Sequence, residues 1–282
     1  LKGNTISSLN EYLVSIEQLK DSALQYLVDD YFNAQPIKNP VDNSFLFRGM
    51  SNNEYQLLPG VFRKNASEKA IYTTYAIEMV LLKSFIQEAS AYLTTPSDDY
   101  VHWAEYAQHF GVPTRLLDWS SNPLVALYFC CKNNPNTPGV VWVLNQKNYE
   151  RITVPNQNLS HPIKDRITCI KELLEGKSDL NYPIIYTPSY VDSRMSAQGS
   201  YFMVWGKKEE PLDKLIPKSI TNSIELNENT CLWQFNVPAN NKKKILRSLD
   251  DIGINEKTLF PGLDGIGRYI ENKFRFDSLD FC

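Results

Sequence analysis

The chain has 282 residues, 43% of them hydrophobic and 22% charged, enough apolar content to bury one large core or two modest ones without metal or disulfide staples. A formal net charge of -3 argues against broad, sequence-independent attraction to phosphate backbones, so nucleic acid is not an expected partner. Five cysteines, Cys130, Cys131, Cys169, Cys231 and Cys282, odd in number and with no CxxC pair, suggest reduced thiols rather than a disulfide framework or a zinc knuckle.

No stretch approaches the roughly 20 apolar residues that span a bilayer, and Leu1-Lys2-Gly3-Asn4 opens no apolar signal-peptide region. A cytoplasmic protein with no membrane partner is therefore expected.

In chain order, Ser8 and Glu11 form a capping-box pattern, and Leu9, Tyr12, Leu13, Ile16 and Leu19 follow at helical spacing, predicting a helix over about Leu9 to Val28. A turn-rich connector, Asn33 to Asn43 with Pro36 and Pro40, leads into Ser44 to Gly49, a short apolar run that reads as a strand. From Glu68 to Leu93, apolar residues at three- and four-residue steps predict a long amphipathic helix. A second helix begins near Asp98-Asp99, carries Trp103, Ala107 and Phe110, and stops at Gly111. Pro123, after a cap at Ser121 or Asn122, opens a buried helix over Leu124 to Cys131.

Gly139 to Leu144, Tyr182 to Thr187, Tyr201 to Trp205 and Cys231 to Val237 read as strands, and Lys242 to Ile252 and Leu263 to Lys273 as the last helices. Lys242-Lys243-Lys244 reads as the solvated start of its helix. With no internal repeat or clear linker, the expectation is an α+β fold in one domain over residues 1–282. Residues 1–35 form an N-terminal helical segment and 36–275 the core, a helix-rich N-terminal half packed on a strand-rich second half.

Three segments combine costly polar residues with tight backbone punctuation: Phe47-Arg48-Gly49, Gln108 to Trp119, and Arg194 to Gly199. Arg115 and Asp118 sit among apolar neighbours, where a guanidinium must find an anion or several acceptors. Either Arg115 pairs with Asp118 to brace the turn, or Arg48 and Arg115 converge as a fork for phosphate or carboxylate, with Gly49 and Gly111 allowing close backbone approach.

His109, one residue from a helix end, is either a capping imidazole or a general acid or base. Gln108 is either a reader of an amide or base edge or a loop brace. Trp119 and Tyr128 either stack on a ring or fill the core. No HExxH, GxSxG, GxxxxGK[ST] or GxGxxG pattern is present, so zincin, serine hydrolase, P-loop and Rossmann chemistry lack support and no metal is expected.

Together these segments resemble the FRG-domain family, named for an aromatic-Arg-Gly triplet that stands here as Phe47-Arg48-Gly49. The resemblance continues through Tyr55 to Pro59, Phe62-Arg63, Gln108 to Trp119, Asn122 to Cys130, Arg194 to Phe202 and Thr258 to Gly265. It implies a bacterial or phage protein, in a defence or toxin setting.

The triplet is also similar to the opening strand of ADP-ribosyltransferases, implying a mixed, mainly antiparallel sheet and NAD as a substrate, with no cofactor required. On that comparison Arg48 holds diphosphate, Ser120 orients a ribose, Trp119 or Tyr128 faces nicotinamide, and a Glu stabilises the sugar cation. The Glu-x-Glu pattern of those enzymes is missing, leaving Glu209, Glu210, Glu225 and Glu256 as candidates. The expected site therefore has His109 and Asp118 as catalytic groups. Arg48, Gly49, Gln108, Thr114, Arg115, Trp119, Ser120, Arg194 and Gln198 are its ligand contacts. The expected partner is a nucleotide-like small molecule, or a protein if the module only binds.

Overall fold

A computed structural model describes residues 4–31, 45–63, 74–92, 99–154, 166–175, 177, 180–188, 193–217, 219–221, 224–226 and 231–277. Among these, a seven-stranded sheet is assembled from β1 (Asn4–Thr5), β2 (Phe45–Met50), β3 (Leu116–Ser120), β4 (Gly139–Asn145), β5 (Ile184–Tyr186), β6 (Ser200–Val204) and β9 (Leu232–Val237). The order across it is β1-β9-β4-β2-β3-β6-β5. Every neighbouring pair is antiparallel except β1 with β9. The fold is α+β with a mixed, mainly antiparallel sheet. β7 (Ser219–Thr221) and β8 (Ile224–Leu226) form a separate hairpin.

The helices are α1 (Leu9–Tyr31), α2 (Thr74–Ala89), α3 (Tyr100–His109), α4 (Pro123–Lys132), α5 (Gln146–Thr153), α6 (Arg166–Leu174), α7 (Ser193–Ala197), α8 (Leu212–Leu215), α9 (Ala239–Asp251), α10 (Glu256–Leu259) and α11 (Leu263–Asp277). Local chemistry sets several ends. Asp99 caps α3 by accepting from the Val101 amide, and Asn122 caps α4 by accepting from Leu124, with Pro123 in the first turn where its missing N–H costs nothing. Gly111, at φ 84°, closes the turn after α3 in a conformation that a side chain would resist. The Glu11 amide donates to Ser8 Oγ, while the Glu11 carboxylate accepts from the Ser7 amide rather than from Ser8.

Strand alternation divides the core. Leu46, Met50, Leu117, Trp119, Val140, Trp142, Leu144 and Met203 pack on one face of the sheet. On the other, Phe45, Phe47, Val141, Val143, Phe235 and Val237 pack with α1, α4, α9 and α10. Farther along that second face, Leu116, Phe202, Val204, Ile184 and Tyr186 pack with α3 and α6.

Three expectations change. Leu116 to Ser120 is a strand, although its charged and apolar mixture reads as part of a turn. Strands come from both halves of the chain, and α5 and α6 fall in the half expected to be strand-rich. Lys242 is buried at 1% exposure, its ammonium donating to the carbonyls of Ser51 (2.6 Å), Asn133 (3.2 Å) and Asn134 (3.0 Å). It ties α9 to the end of α4 and the segment after β2, and burial lowers its pKa. The Asn33–Asn43 connector and the expected helix ends at Glu68 and Leu93 lie outside the described residues.

Candidate functional site

The sheet parts where β2 meets β3. β2 pairs with β4 over six residues and β3 with β6 over five, but β2 and β3 share a single pair, Phe47 opposite Ser120. Over this junction, on the α4 side, lies a cavity of about 240 Å³. Its walls come from β2, β3, β6, α3, α4 and α7.

Arg48 occupies the junction. It donates to the main-chain carbonyl of Asp118, and its Nη1 lies 3.7 Å from the Asp118 carboxylate. That bond takes the place of a continued ladder: a β3 carbonyl that faces β2 receives a guanidinium instead of a backbone amide. Arg48 Nε is buried without a hydrogen-bond partner. Burial lowers the Arg48 pKa to about 10, against the pull of Asp118 in the other direction, and the group remains a cation at neutral pH.

Asp118 is the exposed residue in a strand whose other members are buried, and its side chain is 53% exposed. Gln108 fixes it: the Gln108 amide nitrogen donates to Asp118 Oδ2 at 2.8 Å, while the Gln108 oxygen accepts from the Thr114 hydroxyl at 2.7 Å. Thr114 in turn accepts from the Leu116 amide. A polar relay therefore runs Thr114, Gln108, Asp118, Arg48, and it joins the end of α3 to the open edge of β2.

Arg48, Gly49, Gln108, His109, Asp118, Trp119, Ser120, Arg194 and Gln198 all line the cavity. Thr114 lies one step behind it. Arg115 does not reach it. Instead Arg115 is buried against Glu78 of α2, with Nε and Nη2 each 2.6 Å from Glu78 Oε2 and a further bond to the Trp205 carbonyl. Its amide also donates to Glu78 Oε1. Neither the fork of Arg48 with Arg115 nor an Arg115 pair with Asp118 forms, because Glu78, a helix away, satisfies that guanidinium. The second arginine on the cavity is Arg194, stacked 4.3 Å over the Phe260 ring.

Gly49 serves packing. A Cβ there would overlap the Ala126 carbonyl, so the glycine lets α4 lie against β2 and form the cavity floor. The Trp119 ring lies in the core under the opposite face, and its indole nitrogen is buried without a partner. Ser120 donates to the Gln198 carbonyl at 2.6 Å and accepts from the Asn122 amide, so its hydroxyl braces the turn into α4. The Gln198 side chain donates to the Leu259 carbonyl. His109 lines the cavity with its ring edge-on to Phe110.

Tyr128 points away, donating to Glu256, which also accepts from Lys132 at 2.8 Å and Arg268 at 3.2 Å. These partners hold the Glu256 pKa below its usual range despite burial. Glu209, Glu210 and Glu256 do not line the cavity, and the side chain of Glu225 lies outside the described residues. Asp118 is the single carboxylate among the described residues that line it.

Sequence reasoning missed Val125, Ala126 and Phe129 of α4, together with Met195, Ser200 and Phe202. Their apolar or small side chains carry no chemical signal, and only strand and helix placement brings them to the cavity.

The family model of the FRG domain matches residues 43–138, which hold Arg48, the Gln108–Asp118 relay and α4. The chain carries an FRG domain. The remaining walls of the cavity, from α7 and β6, lie beyond the matched residues. No curated protein and no solved structure matches the chain. Among the described residues no group of three His, Cys, Asp or Glu side chains is placed to hold a metal ion, and no helix is long and apolar enough to cross a membrane.

Proposed function

We propose that the FRG-domain cavity binds a nucleotide and that the protein is an NAD-using, ADP-ribosyltransferase-like enzyme. The observation that carries this reading is Arg48. It has five N–H donors, is mostly buried, and makes one hydrogen bond among the described residues, to the Asp118 carbonyl. A desolvated guanidinium with spare donors on a cavity wall suits a phosphate oxygen. Arg194 on the same cavity adds positive charge.

Asp118 supplies the carboxylate that the chemistry needs. Cleavage of NAD at the nicotinamide bond sends the bonding pair to the ring nitrogen, releases neutral nicotinamide and leaves a cationic sugar. A fixed carboxylate beside that sugar stabilises the charge as it develops. An acceptor nucleophile, or water, then closes the sugar and gives its proton to solvent or to a neighbouring base. His109 is the imidazole on the wall of the same cavity. The bacterial defence or toxin setting implied by the family resemblance belongs to the same proposal.

A second reading has its own support: the relay from Thr114 to Arg48 closes the gap between β2 and β3, so the site also serves as a brace in a non-catalytic binding module. Incubation of the purified protein with NAD, with free nicotinamide followed by mass spectrometry, separates the two. Release by the parent and none by folded Arg48→Ala and Asp118→Asn supports the enzyme. No release, with no thermal shift on adding NAD, supports the brace.

A further inference from the structure

The region of α3 serves two cavities. Gln108 and His109 line the one at the β2–β3 junction, whereas Trp103 and Tyr106, with Phe110 just past the helix end, stand at steps of three and four residues and line another beside α2. Phe85 of α2 and Tyr92, in the short turn Ser90–Tyr92 that follows it, complete the rings. This second cavity has a volume of about 410 Å³, inside the roughly 300–1,000 Å³ typical of small-molecule sites.

Its walls are aromatic and set at angles. Phe85 meets Trp103 edge-on, with 6.2 Å between ring centroids and 80° between planes, and Trp103 meets Tyr106 at 6.2 Å and 52°. Phe85 and Phe110 lie 6.3 Å apart at 32°. Rings inclined in this way do not close face to face on one another, so they keep ring faces for a guest. Trp103 is 4% exposed and packed with Leu82 and Ala107, which fixes the floor, while Phe110 is 65% exposed at the rim.

Charge selects the guest. Glu88 is the single charged side chain that lines this cavity among the described residues; it is exposed and makes no hydrogen bond or ion pair with another described residue. The face of an aromatic ring is the negative part of its quadrupole, so the rings and the carboxylate share one sign. An anion is repelled, and a neutral apolar group leaves that field unused. A primary ammonium fits poorly too, because its N–H donors need acceptors that ring faces do not supply. A quaternary ammonium brings the charge with no donor to satisfy.

We propose that this cavity binds a quaternary ammonium group, with its methyl groups on the faces of Trp103, Phe85, Tyr106 and Phe110 and its charge balanced by Glu88. The site is independent of the nucleotide reading of the first cavity and stands or falls without it. Such a group arrives either on a small molecule of the choline type or on a trimethylated lysine, and the contact chemistry is the same.

The test is calorimetric titration of the full chain with choline, with 3,3-dimethylbutan-1-ol, its neutral carbon isostere, and with a short peptide carrying trimethyllysine beside the unmethylated peptide. Choline is expected to bind about tenfold or more tighter than the neutral isostere. Phe110→Ala should weaken choline about fivefold and Glu88→Gln about threefold; both positions are exposed, so the melting temperature should hold. Whichever of choline and the trimethylated peptide binds more tightly identifies the source, and either result supports the site.

Equal binding of choline and its neutral isostere, which a plain apolar groove would give, would overturn the proposal. So would a trimethylated peptide no tighter than its unmethylated form, choline affinity unchanged in Phe110→Ala, or no binding of either ammonium.

Discussion

Arg48 and Arg115 stand beside the same strand, β3, and teach opposite lessons. Arg115 is surrounded: two nitrogens on Glu78, a third on the Trp205 carbonyl, and its own amide on the same carboxylate. Arg48 has a carbonyl, a distant carboxylate oxygen and a buried Nε with no partner. A buried cation with a partner on every nitrogen is part of the scaffold. One left short of acceptors inside a cavity is set up to receive them from outside.

The contrast breaks most visibly at Arg115. Arg115→Ala strands the Glu78 carboxylate in the interior, and the expected loss is about 3–5 kcal/mol of stability, read by urea or thermal denaturation. An unchanged melting temperature would mean that the pair is not the scaffold described. Gly49→Ala comes next. Its methyl group overlaps the Ala126 carbonyl, so α4 must shift, at a cost of about 1–3 kcal/mol or more in the same assay, with the cavity floor displaced.

Lys242→Met removes an ammonium that binds three carbonyls and leaves those carbonyls buried, which is expected to cost about 1–3 kcal/mol in the same denaturation assay. Arg48→Ala sharpens the comparison from the other side: stability should change by no more than about 1 kcal/mol, while anion binding is lost.

The smallest expected effect is a pH dependence. The folded pKa of Glu256 is depressed, so its contribution is complete above the ordinary carboxylate value of 4.5 and is lost as pH falls through the lower, folded value. Glu256→Gln should flatten the acid limb of the stability profile measured by thermal melts. It should leave the neutral plateau shifted only by the lost bonds to Lys132 and Arg268. For the cavity the sign runs the other way at high pH. Burial brings the Arg48 pKa down to about 10, below the ordinary arginine range, so anion affinity should fall as pH rises through about 10.

What could be read from the sequence was local. The caps at Asp99 and Asn122, the proline that starts α4, the glycine that ends the turn after α3, and β2 itself all follow from residues within a few positions of one another. Arg48, Gln108, His109 and Asp118 each stand out locally, where punctuation and polar residues coincide, and the fold brings the four to one cavity.

Partners were not legible, because they lie far apart in the chain. Glu78 is 37 residues from Arg115, and Asp118 is 70 from Arg48. The Leu116–Ser120 strand is not legible because its one exposed residue, Asp118, stands among four buried ones and leaves no regular polar–apolar alternation. Lys242 reads as surface in the sequence because a lysine in a basic run carries no mark of burial. Trp119 left both of its roles open, and strand parity places its ring in the core.

The most direct test of the central claim, that Arg48 is a receptor and Arg115 a scaffold, is calorimetric titration of NAD into the parent and into Arg48→Ala, each confirmed folded by its melting curve. Saturable binding to the parent and none to folded Arg48→Ala is the predicted result. Equal affinity in the two proteins would contradict it.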